Sequence, residues 1–284
     1  MNLAYALFRL KNQISSVIQP KNTAHKMARM FLNPNQKPLK PWEQKAEQAG
    51  TRFQLNDQVS AIRWTATTSK QHLPKRILLI HGWESRATQM YGLVPDLLAQ
   101  GFEVTALDMP RHGHSTGSQS NPYIFGQTIL MAQQKLGEFD GIVAHSMGAG
   151  ATAFSLQNGL NTQKLVLVSG PSSIDNILNH FAGLMGLNKK TTQYFIQEIE
   201  KTVGIAKEHL DVLSGKKQIT TPTLVVHDEA DLEVPFSESQ RMVSAFSQGE
   251  LLVTKGLGHR QILKSDIFKE KMLSFLAHAP QLKV

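Results

Sequence analysis

The stretch Gly141-Ile142-Val143-Ala144-His145-Ser146-Met147-Gly148-Ala149-Gly150 decides how the chain reads. An apolar run of strand length ends on a serine, and small residues that begin a helix follow at once. A serine on so sharp a strand-to-helix turn needs small neighbours two residues before and after it, because larger side chains would strike the flanking backbone. Ala144 and Gly148 meet that need. Such a turn exposes the Ser146 hydroxyl. It also aims the Met147 backbone N–H, at a helix N-terminus, toward the place where an oxyanion would form.

Outward from this turn, strands and helices alternate. Arg76 to Ile80, Phe102 to Leu107, Phe139 to Ala144, Leu165 to Ser169, Leu224 to His227 and Leu251 to Thr254 are short apolar runs of strand length. Helical periodicity separates them over Ala87 to Gln100, over Pro122 to Leu136 and from Met147 onward. Phe53 to Leu55 and Val59 to Trp64 read as a strand pair turning at Asn56-Asp57. This alternation predicts an α/β fold: a mostly parallel central sheet with helices on both faces, and function at the carboxyl ends of the strands. Between Gly170 and Pro222 there is no clear strand but two helix-like segments, Ser173 to Leu187 and Thr191 to Leu213. They predict a helical cap inserted at about residues 171–220 of a body spanning 51–284.

Residues 1–50 form a separate extension, with apolar residues at helical spacing as far as about residue 32 and a proline-rich linker after it. Of the chain's net charge of +8, +6 lies in these residues, which reads as a solvated basic arm able to touch an anionic surface. No basic stripe interleaved with aromatics points to nucleic acid. The 284 residues are 41% hydrophobic and include no cysteine, which excludes disulfides and thiolate chemistry and fits a cytoplasmic setting. No apolar run reaches the roughly 20 residues of a membrane span, and no signal peptide is read at the N-terminus. The sequence leaves the oligomeric state open.

Four further stretches carry chemistry. His81-Gly82-Trp83 follows the strand at 76–80. Asp108-Met109-Pro110-Arg111-His112-Gly113-His114-Ser115 follows the next strand. His227-Asp228-Glu229-Ala230-Asp231, with Val234-Pro235, ends a buried strand in a turn rich in acids. Gly256-Leu257-Gly258-His259 follows the last strand. His112 and His114 have no third ligand close in sequence, so no metal site is read. Gly148-Ala149-Gly150 lacks the third glycine of a dinucleotide loop.

In that order these motifs resemble the α/β-hydrolase family over roughly residues 51 to 280, with Ala144 in place of the first glycine of the nucleophile elbow. The resemblance implies Ser146 as nucleophile, Asp231 as the orienting acid and His259 as base. It implies backbone N–H donors from Trp83 and Met147, and no cofactor. Asp228 and Glu229 read as solvated turn residues. The expected partner is a small ester-type substrate of short to medium acyl chain. Trp83, Phe181, Leu184 and Met185 are expected to line its pocket. A thioesterase, amidase or lactonase would use the same triad, and a non-catalytic binding protein could share the fold.

Overall fold

Ile77, Leu78, Leu79 and Ile80 are all buried, the mark of a strand covered on both faces. Leu78 and Ile80 join Ile142, Leu165, Leu167 and Val225 in one apolar layer. Ile77 and Leu79 join Val143, Val166, Leu224 and Val226 in the other. The period of two sorts every central strand the same way.

The computed structural model describes residues 3–66, 74–215 and 218–278. Three helices open the chain, α1 (Leu3–Ile18), α2 (Pro20–Leu32) and α3 (Pro41–Gln48). There follow β1 (Thr51–Gln54), β2 (Ser60–Trp64), β3 (Arg76–Ile80), α4 (Val94–Ala99), β4 (Glu103–Leu107), α5 (Pro122–Leu136), β5 (Phe139–His145), α6 (Met147–Leu156) and β6 (Thr162–Val168). The cap helices α7 (Ile174–Met185) and α8 (Lys189–Val203) come next. Then come β7 (Thr223–Asp228), α9 (Phe236–Val243), β8 (Gly249–Thr254), α10 (Gly258–Gln261) and α11 (Asp266–Ala277).

The eight strands form one sheet in the order β1-β2-β4-β3-β5-β6-β7-β8. The pairings of β1 with β2 and β2 with β4 are antiparallel, and the others are parallel. The order reverses beside β3 and β5, so the loops after these two strands diverge and leave a crevice at their carboxyl ends. Helices α5, α6 and α9 cover one face through Phe125, Ile129, Ala149 and Met242, while α4 and α11 cover the other through Val94, Leu97, Phe268 and Met272.

The extension is not a solvated arm. Met27, Ala28, Phe31 and Leu32 of α2 are buried in a third cluster with Leu178 and Ala182 of α7 and Phe195 and Ile199 of α8. The charge of the extension is conspicuous in the sequence, whereas the apolar stripe shows only in the spacing of four positions on α2. The α3 helix begins where the expected proline-rich linker ends, with Pro41 in its first turn, a position that tolerates a missing N–H. Its buried Glu43 accepts hydrogen bonds from the Lys40 N–H (2.9 Å) and Thr88 Oγ1 (2.9 Å) and lies 3.4 Å from Arg86 Nε. A buried carboxylate so engaged ties the extension to the segment after β3.

Asp108, at the end of β4, performs the matching task on the other side of that segment. It is fully buried and accepts from the Ala87 N–H (2.8 Å), the His114 N–H (3.0 Å) and Arg52 of β1 (2.8 Å). A Cβ at Gly113, where φ is +52°, would fall 2.2 Å from the Asp108 carboxylate, so glycine is required there by space as well as by backbone. Asp108→Ala would leave the buried Ala87 and His114 N–H groups without their acceptor and remove one of the two carboxylates that hold Arg52, the other being Glu47, at a cost of about 2–4 kcal/mol. Urea denaturation of the variant is expected to show a lower midpoint of that size with an unchanged slope.

Candidate active site

Ser146 has φ 55° and ψ −127°, a sparsely populated conformation for a residue with a side chain. Its N–H donates to the Val168 carbonyl at 2.8 Å, and its own carbonyl accepts from the N–H groups of Ala149 (2.9 Å) and Gly150 (3.2 Å). The turn is therefore held on both sides. It fits because its neighbours are missing side chains. A Cβ on Gly148 would stand 2.5 Å from the His81 carbonyl oxygen, and one on Gly82 would stand 2.7 Å from Ser146 Cβ. The loop after β3 and the start of α6 thus approach each other around the serine. Met147 opens α6, where an N–H has no acceptor within its helix. The Trp83 and Met147 N–H groups have no acceptor among the described residues.

The structure brings Ser146, His259 and Asp231 into one chain of contacts. His259 Nε2 lies 2.9 Å from Ser146 Oγ, and His259 Nδ1 lies 2.8 Å from Asp231 Oδ2. With Nδ1–H donating to the carboxylate, Nε2 is left to accept from the serine hydroxyl. Asp231 Oδ1 also accepts from the Glu233 and Val234 N–H groups at 2.9 Å each, and His227 Nε2 approaches Oδ2 at 3.3 Å. Burial favours protonation of Asp231. The bonds from His227, His259 and Val234 outweigh it and hold the carboxyl well below the usual carboxylate range.

Asp228 corrects the reading of the acid-rich turn, for it is buried and not solvated. It accepts from the N–H groups of Ala230 (3.0 Å), Leu257 (3.0 Å) and Gly258 (2.9 Å) and from Thr254 Oγ1 (2.7 Å). The turn that presents Asp231 is therefore tied to the loop that presents His259. Exposed Glu229 does pair with Lys255 at 3.4 Å, near the surface.

Three buried histidines frame the site. His81 accepts from the Met109 N–H at Nε2 (3.0 Å) and lies 2.7 Å from the Gly82 carbonyl at Nδ1. His112 accepts from the Glu84 N–H at Nε2 (3.2 Å) and reaches the Pro110 carbonyl at 3.0 Å. Both nitrogens of each ring are used to hold the loops after β3 and β4, so His112 and His114 do not act as a ligand pair. His145 Nε2–H donates to the His259 carbonyl at 2.8 Å. Burial pushes His81 down to about 4 and His112 and His145 down to about 3, and the His259 ring adds to the shift at His145.

Two cavities meet at Ser146. The first, of about 390 Å³, is bounded by Phe31, Trp83, Ile177, Phe181, Leu184 and Leu232, among others. The second, of about 710 Å³, opens on the other side toward Lys40, Trp42, Tyr91, Arg260 and Lys264. Trp83, Glu84, Ser146, Glu233 and His259 border both. Trp83 stacks near Phe31 (ring centroids 6.1 Å, 20° between planes), and Phe31 meets Phe181 edge-on at 5.1 Å. Met185 does not line the cavity. On α7 the positions 177, 181 and 184 share one face, whereas Met185 falls beside Leu178 and Ala182 on the face packed against α1, α2 and α8. Phe31 and Met30 were missed as lining residues. The signal that could have found them is the α2 periodicity of Met27 and Phe31.

The chain belongs to the α/β-hydrolase fold family. The family model described as alpha/beta hydrolase fold matches residues 75–190, and a second, described as TAP-like protein, matches residues 205–281. No curated protein sequence matches the chain. Among solved structures it is similar to an esterase from Pyrococcus furiosus, at 18% identity over 86% of this chain and 98% of that one with a TM-score of 0.61. It is also similar to a bromoperoxidase from Bacillus anthracis, at 18% identity over 81% and 100% with a TM-score of 0.56. Alpha/beta hydrolase domain-containing protein 10 from mouse gives 14% identity over 79% and 95% with a TM-score of 0.60. No helix among the described residues is long and apolar enough to cross a membrane.

The histidine shifts set a pH dependence. Below the ordinary value of 6.5 the unfolded chain takes up protons at His81, His112 and His145 while the folded chain does not. Stability is therefore complete above that pH and falls on acidification down to about pH 4, where His81 begins to charge in place. Each histidine contributes up to about 1.4 kcal/mol per pH unit in that window. Thermal unfolding is expected to drop by about 10 °C or more between pH 7.5 and pH 5.

Proposed function

We propose that the protein is a serine hydrolase that cleaves carboxylic esters of short to medium acyl chain through an acyl-enzyme intermediate. The observation that carries this reading is the Ser146–His259–Asp231 relay at 2.9 and 2.8 Å, opening at the junction of an apolar cavity and a larger one that carries Lys40, Arg260 and Lys264 on its wall. In this mechanism Ser146 Oγ attacks the ester carbonyl carbon as its proton passes to His259 Nε2. Asp231, ionised and anchored by backbone N–H groups, stabilises the imidazolium. The N–H groups of Trp83 and Met147, without an acceptor among the described residues, receive the oxyanion. The imidazolium returns its proton to the departing alcohol. Water, deprotonated by His259, then attacks the acyl carbon, and Ser146 recovers its proton as the acid leaves.

The two cavities divide the substrate at its carbonyl. The apolar one, walled by Phe31, Ile177, Phe181 and Leu184, suits the acyl arm. The other, with Lys40, Arg260 and Lys264, suits a polar alcohol. Its 390 Å³ places the acyl cavity near the lower end of small-molecule sites, which favours short and medium chains.

With p-nitrophenyl esters from acetate to palmitate, wild type is expected to show a chain-length optimum, and Ser146→Ala to lose turnover by a factor on the order of 10⁴ or more while remaining folded. A folded wild type that hydrolyses no ester and escapes labelling by a fluorophosphonate would exclude the reading in favour of a binding protein on this fold.

Ile177→Trp places a larger ring in the acyl cavity. Its optimum is expected to move to shorter chains with acetate turnover nearly unchanged. An optimum that stays in place would assign the acyl arm to the other cavity.

A further inference from the structure

Helix α1 wears most of its apolar residues outward, with Phe8 the large exception that packs against the cap cluster. Leu3, Leu7, Leu10, Ile14, Val17 and Ile18 are 52–74% exposed, whereas the residues it buries are Asn12 and Ser16. At 3.6 residues per turn the six lie within an arc of about 100°, opposite Asn12. Polar contacts fix this inverted orientation. Asn12 Nδ2–H donates to the Met185 carbonyl (3.1 Å) and the Tyr5 hydroxyl to the Leu184 carbonyl (2.8 Å). The Ser16 carbonyl accepts from Asn188 Nδ2 and Thr191 Oγ1 at 3.0 Å each. Contiguous apolar stripes of this kind mark an interaction surface and not a solvated face.

Charge says what covers it. No aspartate or glutamate occurs before Glu43, while Arg9, Lys11, Lys21, Lys26 and Arg29 fall on or beside α1 and α2. Lys11 borders the stripe, and Lys189 and Lys190 open α8 close to Ser16. Lys11, Lys26, Arg29, Lys189 and Lys190 have no carboxylate partner among the described residues. The carboxylate of Glu198 is engaged by His25 at 3.0 Å. A second copy of the chain would set this cationic surface against itself. An anionic lipid surface accepts both the stripe and the cations.

We propose that α1 is an interfacial helix that seats the protein on an anionic phospholipid surface, with the leucine and isoleucine stripe among the acyl chains and the flanking lysines and arginines against the phosphates. The seat adjoins the apolar cavity. The α7 end that α1 grips carries Leu184, which with Met30 and Leu232 forms an exposed apolar rim to that cavity. Docking does not depend on the catalytic reading, and its test measures binding alone.

The full chain, as wild type and as Ser146→Ala, is sedimented with vesicles of phosphatidylcholine alone and of phosphatidylcholine with about a third phosphatidylglycerol. Both proteins are expected to pellet with the mixed vesicles and not with the neutral ones, and to be released as salt rises from about 0.1 to 0.5 M. The double substitution Leu7→Glu and Ile14→Glu is expected to abolish pelleting while the unfolding temperature stays at the wild-type value. Lys26→Gln with Arg29→Gln should weaken it about fivefold per cation. Failure to pellet with either vesicle, or equal pelleting with both, would overturn the proposal. So would a concentration-dependent dimer that Leu7→Glu and Ile14→Glu dissolve, which assigns the stripe to a second copy.

Discussion

Ser146 is held in a backbone conformation that costs on the order of 1–3 kcal/mol, and the rest of the site is arranged around keeping it there. The Val168 carbonyl fixes its N–H, which requires β6 to run parallel to β5 in register. Gly82 and Gly148 leave room for the turn, which requires β3 on the other side of β5. Neither requirement is local. A lone strand and helix of this sequence would relax, whereas three adjacent parallel strands with fully buried Ile80, Ala144 and Leu167 give the turn no room to do so. The proposed nucleophile thus sits at a point flanked by fully buried strand residues.

Two carboxylates three residues apart then divide the work of presenting His259. Asp228 directs its oxygens at four donors of the β7 and β8 loops, so it acts as a rivet between them. Asp231 spends one oxygen on backbone N–H groups and turns the other to His259. Its orientation is thereby settled before the imidazole is considered, and the imidazole inherits it. His145 adds a second constraint on the same loop by donating to the His259 carbonyl. His259 is held at its backbone and at its ring, which is the preorganisation that the proposed proton transfer from Ser146 would need.

What the sequence disclosed follows from where information is local. The elbow, the strand Arg76–Ile80 and the helix Pro122–Leu136 announce themselves through short-range pattern, and the structure has those two elements at the same residues. Ser146, Asp231 and His259 are candidates in the sequence because each follows a strand in a turn or loop of motif residues, and the structure brings the three side chains together. Asp228 was misread because burial of a carboxylate depends on donors from Thr254 to Gly258, distant in sequence and invisible to a local pattern. Met185 was misplaced by one helical face, since the apolar content of α7 is spread around the helix and a cap packed on both sides has no polar face to orient it. The extension was misjudged for the opposite reason. Its charge is conspicuous in the composition, but its energy of docking comes from Met27, Ala28, Phe31 and Leu32, four positions of one helix.

That extension changes what the cap is. In a cap made of α7 and α8 alone, the Leu178 and Phe195 faces would lie open. With α2 against them they are sealed, and Phe31 passes through the seal to meet Trp83 over the cavity. The chain therefore closes its own site with a segment that precedes the sheet in sequence, anchored at one end by the buried Glu43 beside Arg86 and Thr88. Helix α1 is the remainder of that segment. Because α2 already covers the apolar faces of the cap, α1 finds polar carbonyls at the ends of α7, and it meets them with Tyr5, Arg9 and Asn12. Its leucines have nowhere inward to go. The outward stripe is thus the geometric consequence of a helix docked by its polar side, with Phe8 as its one large apolar contact, onto a cap whose apolar surface is mostly taken.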